Sequence, residues 1–217
     1  MSIQTFLIVT GQLDENCYFL WRQGSKDAIV FDPGADEDVI ESELKQRGFS
    51  IAAFLQTHCH GDHIGALTPL KALYPSAKLY VPEAEAEWLQ RPTLNLSYFM
   101  GVSITGPKPD ELVRDGDILK IAGMTMIAIH IPGHSPGGTA YYVESGGETP
   151  HLFCGDILFK GGIGRTDFPG SAGEDALVAG IREKLFVLPE ATIVHPGHGP
   201  QTTIGKEKLN NPFCALE

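Results

Sequence analysis

The sequence has no paired cysteines, no apolar run of bilayer length and little positive charge. Cys17, Cys59, Cys154 and Cys214 are scattered with no CxxC spacing, so no disulfide framework is expected and a reducing compartment fits. No stretch approaches the ~18 apolar residues of a membrane span. The first basic residue, Arg22, follows the short apolar run Phe6 to Val9, which matches neither a signal nor a transit peptide. Lys and Arg number 16 against 27 Asp and Glu, a formal net charge of -11. That charge repels phosphate backbones and anionic lipid, so neither nucleic acid nor a membrane is expected as a partner. No fixed-period repeat or low-complexity segment occurs. The expectation is a cytoplasmic protein that acts on small molecules.

With 217 residues and 42% apolar content, the chain can bury a sizeable core, and one domain over residues 1–217 is expected. Ile3 to Val9, Cys17 to Trp21 and Ala28 to Phe31 read as strands, the last ending at Asp32-Pro33-Gly34. Asp36 to Arg47 reads as a helix with Val39, Ile40 and Leu44 on one face and Gly48 just past its end. Ile51 to Gln56 is a buried strand, followed by a helix from about Ile64 to Tyr74. Leu79 to Val81 is a strand and Glu83 to Gln90 is helical. Leu94 to Met100, with Leu96, Tyr98, Phe99 and Met100, is expected in the core, with the cover of a substrate pocket or an interface as the alternatives. Met124 to Ile131, Thr139 to Val143, His151 to Cys154 and Thr192 to Val194 read as strands around a helix from Glu174 to Phe186. Two packed sheets with helices outside both would bury these runs, an α/β chain in a four-layer αββα sandwich.

Five of the eight histidines, His58, His60, His63, His134 and His198, fall in Gly/Pro-rich loops at or just past strand ends, where function concentrates. His130, His151 and His195 lie in or beside strands and receive structural roles. A single HxH pair is weak, but His58-Cys59-His60-Gly61-Asp62-His63 is stronger: His58 and His60 can share one metal while Asp62 and His63 face a second. Neutral imidazole and ionised carboxylate suit borderline divalent ions. In an extended turn Cys59 points away from its flanking histidines, so it is read as a bystander. Three further donors lie at strand-to-loop junctions: His134 in PGHSPGG, Asp156 in CGD and His198 in HPGHGP.

At these residues the chain resembles the metallo-β-lactamase fold superfamily, and over nearly its whole length it is similar to a short glyoxalase II-type member. Gly155-Asp156-Ile157-Leu158-Phe159, Gly164-Arg165-Thr166-Asp167-Phe168-Pro169-Gly170 and Thr202-Thr203-Ile204-Gly205 carry the finer likeness. The resemblance implies a metal site at the edge of the two sheets. His58, His60 and His134 would hold one metal, Asp62, His63 and His198 the other, and Asp156 would bridge them. Asp32 would support the site from beneath, although an Asp-Pro-Gly turn favours Asp in any case. The implied cofactors are two divalent ions, zinc first, with iron or manganese as alternatives, and Asp62 and Asp156 are counted as catalytic. The implied reaction is thioester hydrolysis, of S-D-lactoylglutathione or a related hydroxyacyl thioester, by a metal-bridging hydroxide. A thiolate leaving group with a pKa of about 8.5 departs without a dedicated general acid.

The chain also departs from that family. It stops soon after His198, without the helical domain that carries basic residues for glutathione. The positions of the family's glutathione-holding lysine and tyrosine are Arg165 and Asp167, and that of a second tyrosine is Pro200. Arg165 either clamps a substrate carboxylate or pairs with Asp167 to fix its loop. The Gly161 to Gly170 loop is expected to be adaptable. The rival reading in the same fold is a mononuclear iron persulfide dioxygenase, with a 2-His-1-carboxylate set drawn from this cluster around His134 and Asp156. A β-lactamase is disfavoured by Asp156, where most such enzymes place a cysteine, and a nuclease by the acidic charge.

Overall fold

A computed structural model of the chain describes residues 2–144 and 146–216. The chain forms two compact units, Met1–Val113 with Lys120–Met124, and Arg114–Leu119 with Thr125–Glu217.

The first unit contains β1 (Ile3–Thr10), β2 (Glu15–Arg22), β3 (Asp27–Phe31), α1 (Glu37–Arg47), β4 (Ser50–Leu55), α2 (Gly61–Ile64), α3 (Leu67–Leu73), β5 (Lys78–Pro82) and β6 (Glu111–Val113), with 3₁₀ segments at Glu83–Gln90 and Ser97–Met100. The six strands form one sheet in sequence order. β1, β2 and β3 pair antiparallel, then β3 to β6 run parallel. Parallel neighbours need crossovers, and α1 and α3 supply two of them. Ile40 and Leu44 of α1 and Leu67 and Leu70 of α3 join Phe19, Val30, Phe54 and Leu79 of the sheet in one buried core. Burying each such side chain contributes about 1.5–3 kcal/mol.

Two local expectations fail here. Val39 is exposed, because α1 buries only the pair Ile40 and Leu44. The helix expected from Ile64 to Tyr74 is interrupted between α2 and α3, where the Ala66 amide donates to the Pro33 carbonyl (3.0 Å). A Cβ on Gly65 would collide with the Gly34 carbonyl, so packing against the Asp-Pro-Gly turn overrides helix periodicity at this point.

The second sheet holds β7 (Ile118–Ile121), β8 (Met124–His130), β9 (Thr139–Val143), β10 (His151–Gly155), β13 (Ile193–Pro196) and β14 (Thr202–Thr203), in the order β14-β13-β10-β9-β8-β7. Between β10 and β13 come the small hairpin β11 (Leu158–Phe159) and β12 (Gly162–Ile163), then α4 (Glu174–Gly180), which continues as a π turn through Ile181–Leu185. Leu177, Ile181 and Leu185 pack on Leu152 and Val194 of the sheet. A last helix, α5 (Ile204–Asn210), starts where the Thr203 hydroxyl accepts the Lys206 amide. Glu207 and Asn211 then tie down the hairpin: Glu207 Oε2 accepts from Gly161 N (2.8 Å) and Asn211 Nδ2 donates to Gly162 O (3.0 Å). The start of the expected adaptable loop is therefore fixed. Among the described residues no helix is long and apolar enough to cross a membrane.

Candidate metal centre

In the first unit the donors lie just past the carboxyl ends of β3 and β4, a usual place for sites on parallel strands. The shared ladder brings Asp32 beside Thr57. Asp32 Oδ1 accepts from Thr57 N (2.7 Å), Oδ2 accepts from Thr57 Oγ1 (2.5 Å), and Oδ2 lies 3.2 Å from His63 Nδ1. Asp32 holds a left-handed backbone (φ 45), which aspartate tolerates better than most residues. The hydrogen bonds set the tautomers. A carboxylate only accepts, so His63 Nδ1 carries the proton and Nε2 keeps its lone pair. Thr57 Oγ1 gives its proton to Asp32 and so accepts from His58 Nδ1 (3.2 Å), which leaves the lone pair on His58 Nε2.

Those lone pairs face the other candidate donors. His58 Nε2 is 3.1 Å from His60 Nδ1, and His63 Nε2 is 3.8 Å from Asp62 Oδ2. Two atoms bound to one tetrahedral ion at ~2.1 Å stand roughly 3.4 Å apart. The second separation is too long for a hydrogen bond, and both suit shared coordination.

Two buried acids not singled out in the sequence complete this half. Glu85 is fully buried, and its Oε2 accepts from Cys59 N (2.6 Å), so His58 has a carboxylate clamp on the residue before it and on the residue after it. Its signal in the sequence was its place on the helical face of Trp88 and Leu89. Glu15 accepts from Thr10 Oγ1 (2.7 Å), and burial pushes its carboxyl well above the usual range. Cys59 sits in the apolar core, and burial raises its thiol well above the ordinary value. Gly34 is pressed on the Asp62 carbonyl with no room for a Cβ, which fixes the backbone of that candidate ligand.

In the second unit, His134 lies between β8 and β9, Asp156 follows β10, and His198 follows β13. His134 Nδ1 bonds the Arg165 carbonyl (2.7 Å), so Nδ1 carries the proton and Nε2 the lone pair. Asp156 Oδ2 stands 3.5 Å from His134 Nε2 and 3.6 Å from His198 Nε2. One carboxylate oxygen thus faces two imidazoles at ligand-to-ligand spacing. A Cβ on Gly164 would strike the Asp156 carbonyl, so the GRTDF loop packs directly against this residue.

The Arg165 guanidinium pairs with Asp167 through two bonds of 2.9 Å, Nε to Oδ1 and Nη2 to Oδ2, and stacks over Phe168 (4.4 Å). This is the loop-fixing arrangement, and the pair is largely exposed. The three remaining histidines sit in ordinary networks. His130 Nε2 bonds the Pro136 carbonyl (2.8 Å). Gln201 Nε2 donates to His195 Nδ1 (2.9 Å), so His195 Nε2 donates to His151 Nδ1 (2.8 Å), with His195 stacked on Phe153. Burial holds the His195 pKa down to about 3, so the ring is neutral.

Residues 10–198 match the family model described as the metallo-beta-lactamase superfamily. The hydroxyacylglutathione hydrolase GloC of Haemophilus influenzae is 34% identical, covering 98% of this chain and 98% of its own. The crystal structure of BLEG-1 B3 metallo-beta-lactamase is 40% identical with a TM-score of 0.91, over 98% of this chain and 100% of that one. The crystal structure of TTHA1623 in a di-iron-bound form is 34% identical with a TM-score of 0.84, over 96% and 99%.

Proposed function

Because the chain belongs to the metallo-beta-lactamase superfamily, a metallo-hydrolase family, we propose that it is a dinuclear thioester hydrolase acting on S-D-lactoylglutathione or a related small hydroxyacyl thioester. His58, His60, Asp62 and His63 of the first unit and His134, Asp156 and His198 of the second would supply the ligands of two divalent ions, with Asp156 as the ligand common to both. The observation that carries this reading is Asp156 Oδ2 standing 3.5 Å and 3.6 Å from the Nε2 atoms of His134 and His198. One oxygen placed this way suits a ligand common to both ions. The nitrogen and oxygen donor set accepts zinc, iron or manganese, and zinc is the proposed occupant.

When bound, two such ions supply a hydroxide near neutral pH and stabilise the charge that develops on the carbonyl oxygen. The chain's own part is to hold the donors still. Asp32 keeps the His63 proton on Nδ1 and, through the Thr57 hydroxyl, that of His58 on Nδ1. The Arg165 carbonyl does the same for His134. Such partners orient imidazoles and raise their basicity as ligands. The thioester is preferred because its thiolate leaves without an acid to protonate it, and because the Haemophilus relative named a hydroxyacylglutathione hydrolase matches end to end. Arg165 is the proposed contact for an anionic group on the substrate.

The test is metal analysis of the purified protein with three assays on the same preparation: S-D-lactoylglutathione hydrolysis, β-lactam ring opening, and oxygen uptake with a persulfide. Two ions per chain with thioester cleavage are expected. One iron with oxygen uptake, or β-lactam opening with intact thioesters, would overturn the proposal.

A further inference from the structure

Thr202-Thr203-Ile204-Gly205 holds no candidate metal donor, yet each of its residues is fixed in a way that aims the start of α5. Ile204 N donates to Thr192 O (3.1 Å), and the Ile204 side chain lies in the core of the second unit. Gly205 N donates to Glu190 O (2.9 Å), at a point where a Cβ would come within 3.0 Å of the Glu190 Cβ. Thr203 caps the helix, and the Thr202 hydroxyl donates to Glu207 Oε1 (2.5 Å). The motif therefore delivers one side chain, Glu207, to one place.

Glu207 is 4% exposed, and a carboxylate so buried is costly unless its oxygens are hydrogen-bonded. Its Oε1 accepts from Thr202, and its Oε2 accepts from both Gly161 N (2.8 Å) and Asn211 Nδ2 (2.9 Å). Asn211, also buried, donates to Gly162 O (3.0 Å) and reaches Phe159 O at 3.5 Å. All the contacts with the hairpin fall on backbone groups of β11, β12 and the turn between them. An apolar side chain would fill this space with less desolvation, whereas a carboxylate and an amide aimed at backbone groups specify where the hairpin sits.

Both ends of that hairpin meet the candidate donors of the same unit. β11 begins two residues after Asp156. The Phe159 ring stands edge to face with the His198 imidazole, centroids 6.3 Å apart and planes at 82°. One residue beyond β12, Gly164 is pressed so closely on Asp156 and His134 that a Cβ would lie 1.9 Å from the Asp156 carbonyl oxygen and 3.0 Å from His134 Cγ. The carbonyl of the next residue, Arg165, accepts from His134 Nδ1 (2.7 Å). His134, Asp156 and His198 are thus each touched by the hairpin or by the residues that follow it.

We propose that Glu207 and Asn211 are positioning residues of the metal centre: by fixing the β11–β12 hairpin they hold Phe159 against His198 and Gly164 against Asp156 and His134. The inference rests on the assignment of those three residues as metal donors and is independent of the substrate. Glu207 acts at two removes, through the Gly161 amide and then Phe159, so its effect falls on where the donors stand.

The test pairs zinc titration with NMR of the His198 ring protons in the metal-free protein. A phenyl ring beside an imidazole shifts those resonances, and Phe159→Leu removes the shift, which gives its direction. Glu207→Ala should move the His198 resonances the same way and weaken zinc binding about tenfold, the lower end for a residue that supports metal ligands. Glu207→Gln should restore most of both, because its oxygen accepts from Gly161 and Asn211 while its amide donates to the Thr202 hydroxyl, which can reverse. Arg182→Ala loses bonds to Cys214 O (3.0 Å) and Ala215 O (2.9 Å) in the same unit without touching the hairpin, and should leave both readouts at wild-type values. Unchanged zinc affinity or unchanged His198 resonances in Glu207→Ala would overturn the inference and spare the donor assignment. An equal loss in Arg182→Ala would also overturn it, by reducing the clamp to general stability. If Glu207→Ala does not fold, Asn211→Ala decides on the same two readouts. Absence of zinc uptake by the wild type would remove the donor assignment and the inference together.

Discussion

Asp32 and Thr57 meet through both the backbone amide and the hydroxyl of the threonine, at 2.7 and 2.5 Å, while the same carboxylate lies 3.2 Å from His63 Nδ1. A turn aspartate at the end of one strand thus governs the tautomers of two candidate ligands on the next. Asp32→Asn keeps the left-handed backbone and one accepting oxygen but loses the charge. Metal affinity should fall about 10–100-fold with the fold intact. Metal titration beside circular dichroism checks this, and unchanged affinity would remove Asp32 from the support of the site.

Glu85 separates hydrogen bonding from charge. Glu85→Gln retains an oxygen for the Cys59 amide and should cost little. Glu85→Ala leaves that buried amide unsatisfied and should cost about 1–3 kcal/mol of stability, with weaker metal binding. Denaturant midpoints of the two variants, measured with and without metal, decide the point. Equal midpoints for both would mean that the 2.6 Å bond contributes nothing.

Asp156→Ala should abolish thioester hydrolysis and lower the number of ions bound per chain. His151→Ala, which loses its bond to His195 and its ring contacts with His195 and Phe153, should retain metal and turnover. Full activity in the Asp156 variant would contradict the two-ion mechanism.

His195 predicts an acid limb of stability. Its folded pKa of about 3 lies below the unfolded value of about 6.5, so the unfolded chain takes up a proton that the folded chain refuses. This contribution is fully present above pH ~6.5 and is lost as pH falls toward ~3, at up to ~1.4 kcal/mol per unit. Unfolding midpoints between pH 4 and 7 should therefore depend less on pH in His195→Gln than in the wild type. Identical slopes would show that the ring is protonated in the native protein.

Arg165→Ala should raise KM for an anionic thioester about tenfold, the value of one charge-assisted hydrogen bond, and leave thermal stability unchanged because the Asp167 pair is exposed. Asp167→Asn should lower KM by releasing the guanidinium. KM values that ignore both substitutions would confine Arg165 to fixing its loop.

The sequence was legible where several constraints coincide. Asp32, Thr57 and His58 lie at the ends of strands whose apolar runs are unbroken, and glycine-rich junctions mark His134, Asp156 and His198 in the same way. It was less legible where tertiary packing decides. Nothing local to Ile64 to Tyr74 says that the Pro33 carbonyl captures the Ala66 amide and splits the helix. Glu85 lies in Glu83-Ala84-Glu85-Ala86-Glu87, where the flanking acids outweigh the one signal of its shared face with Trp88 and Leu89, and the Cys59 amide takes it inside. Tyr98 and Phe99 follow the opposite course, apolar in type and exposed in place, because Asn95 and Ser97 rather than the aromatic rings anchor their segment.

Cys59 has a consequence for metal selection. A thiolate between His58 and His60 would make the pocket a trap for soft ions such as cuprous copper or cadmium, which bind sulfur far better than they bind oxygen. Packing the thiol into the core and raising its pKa keeps it protonated and out of reach. The donors that remain, imidazole nitrogen and carboxylate oxygen, suit borderline divalent ions. The protein should also shrug off thiol-directed reagents that disable cysteine-dependent hydrolases.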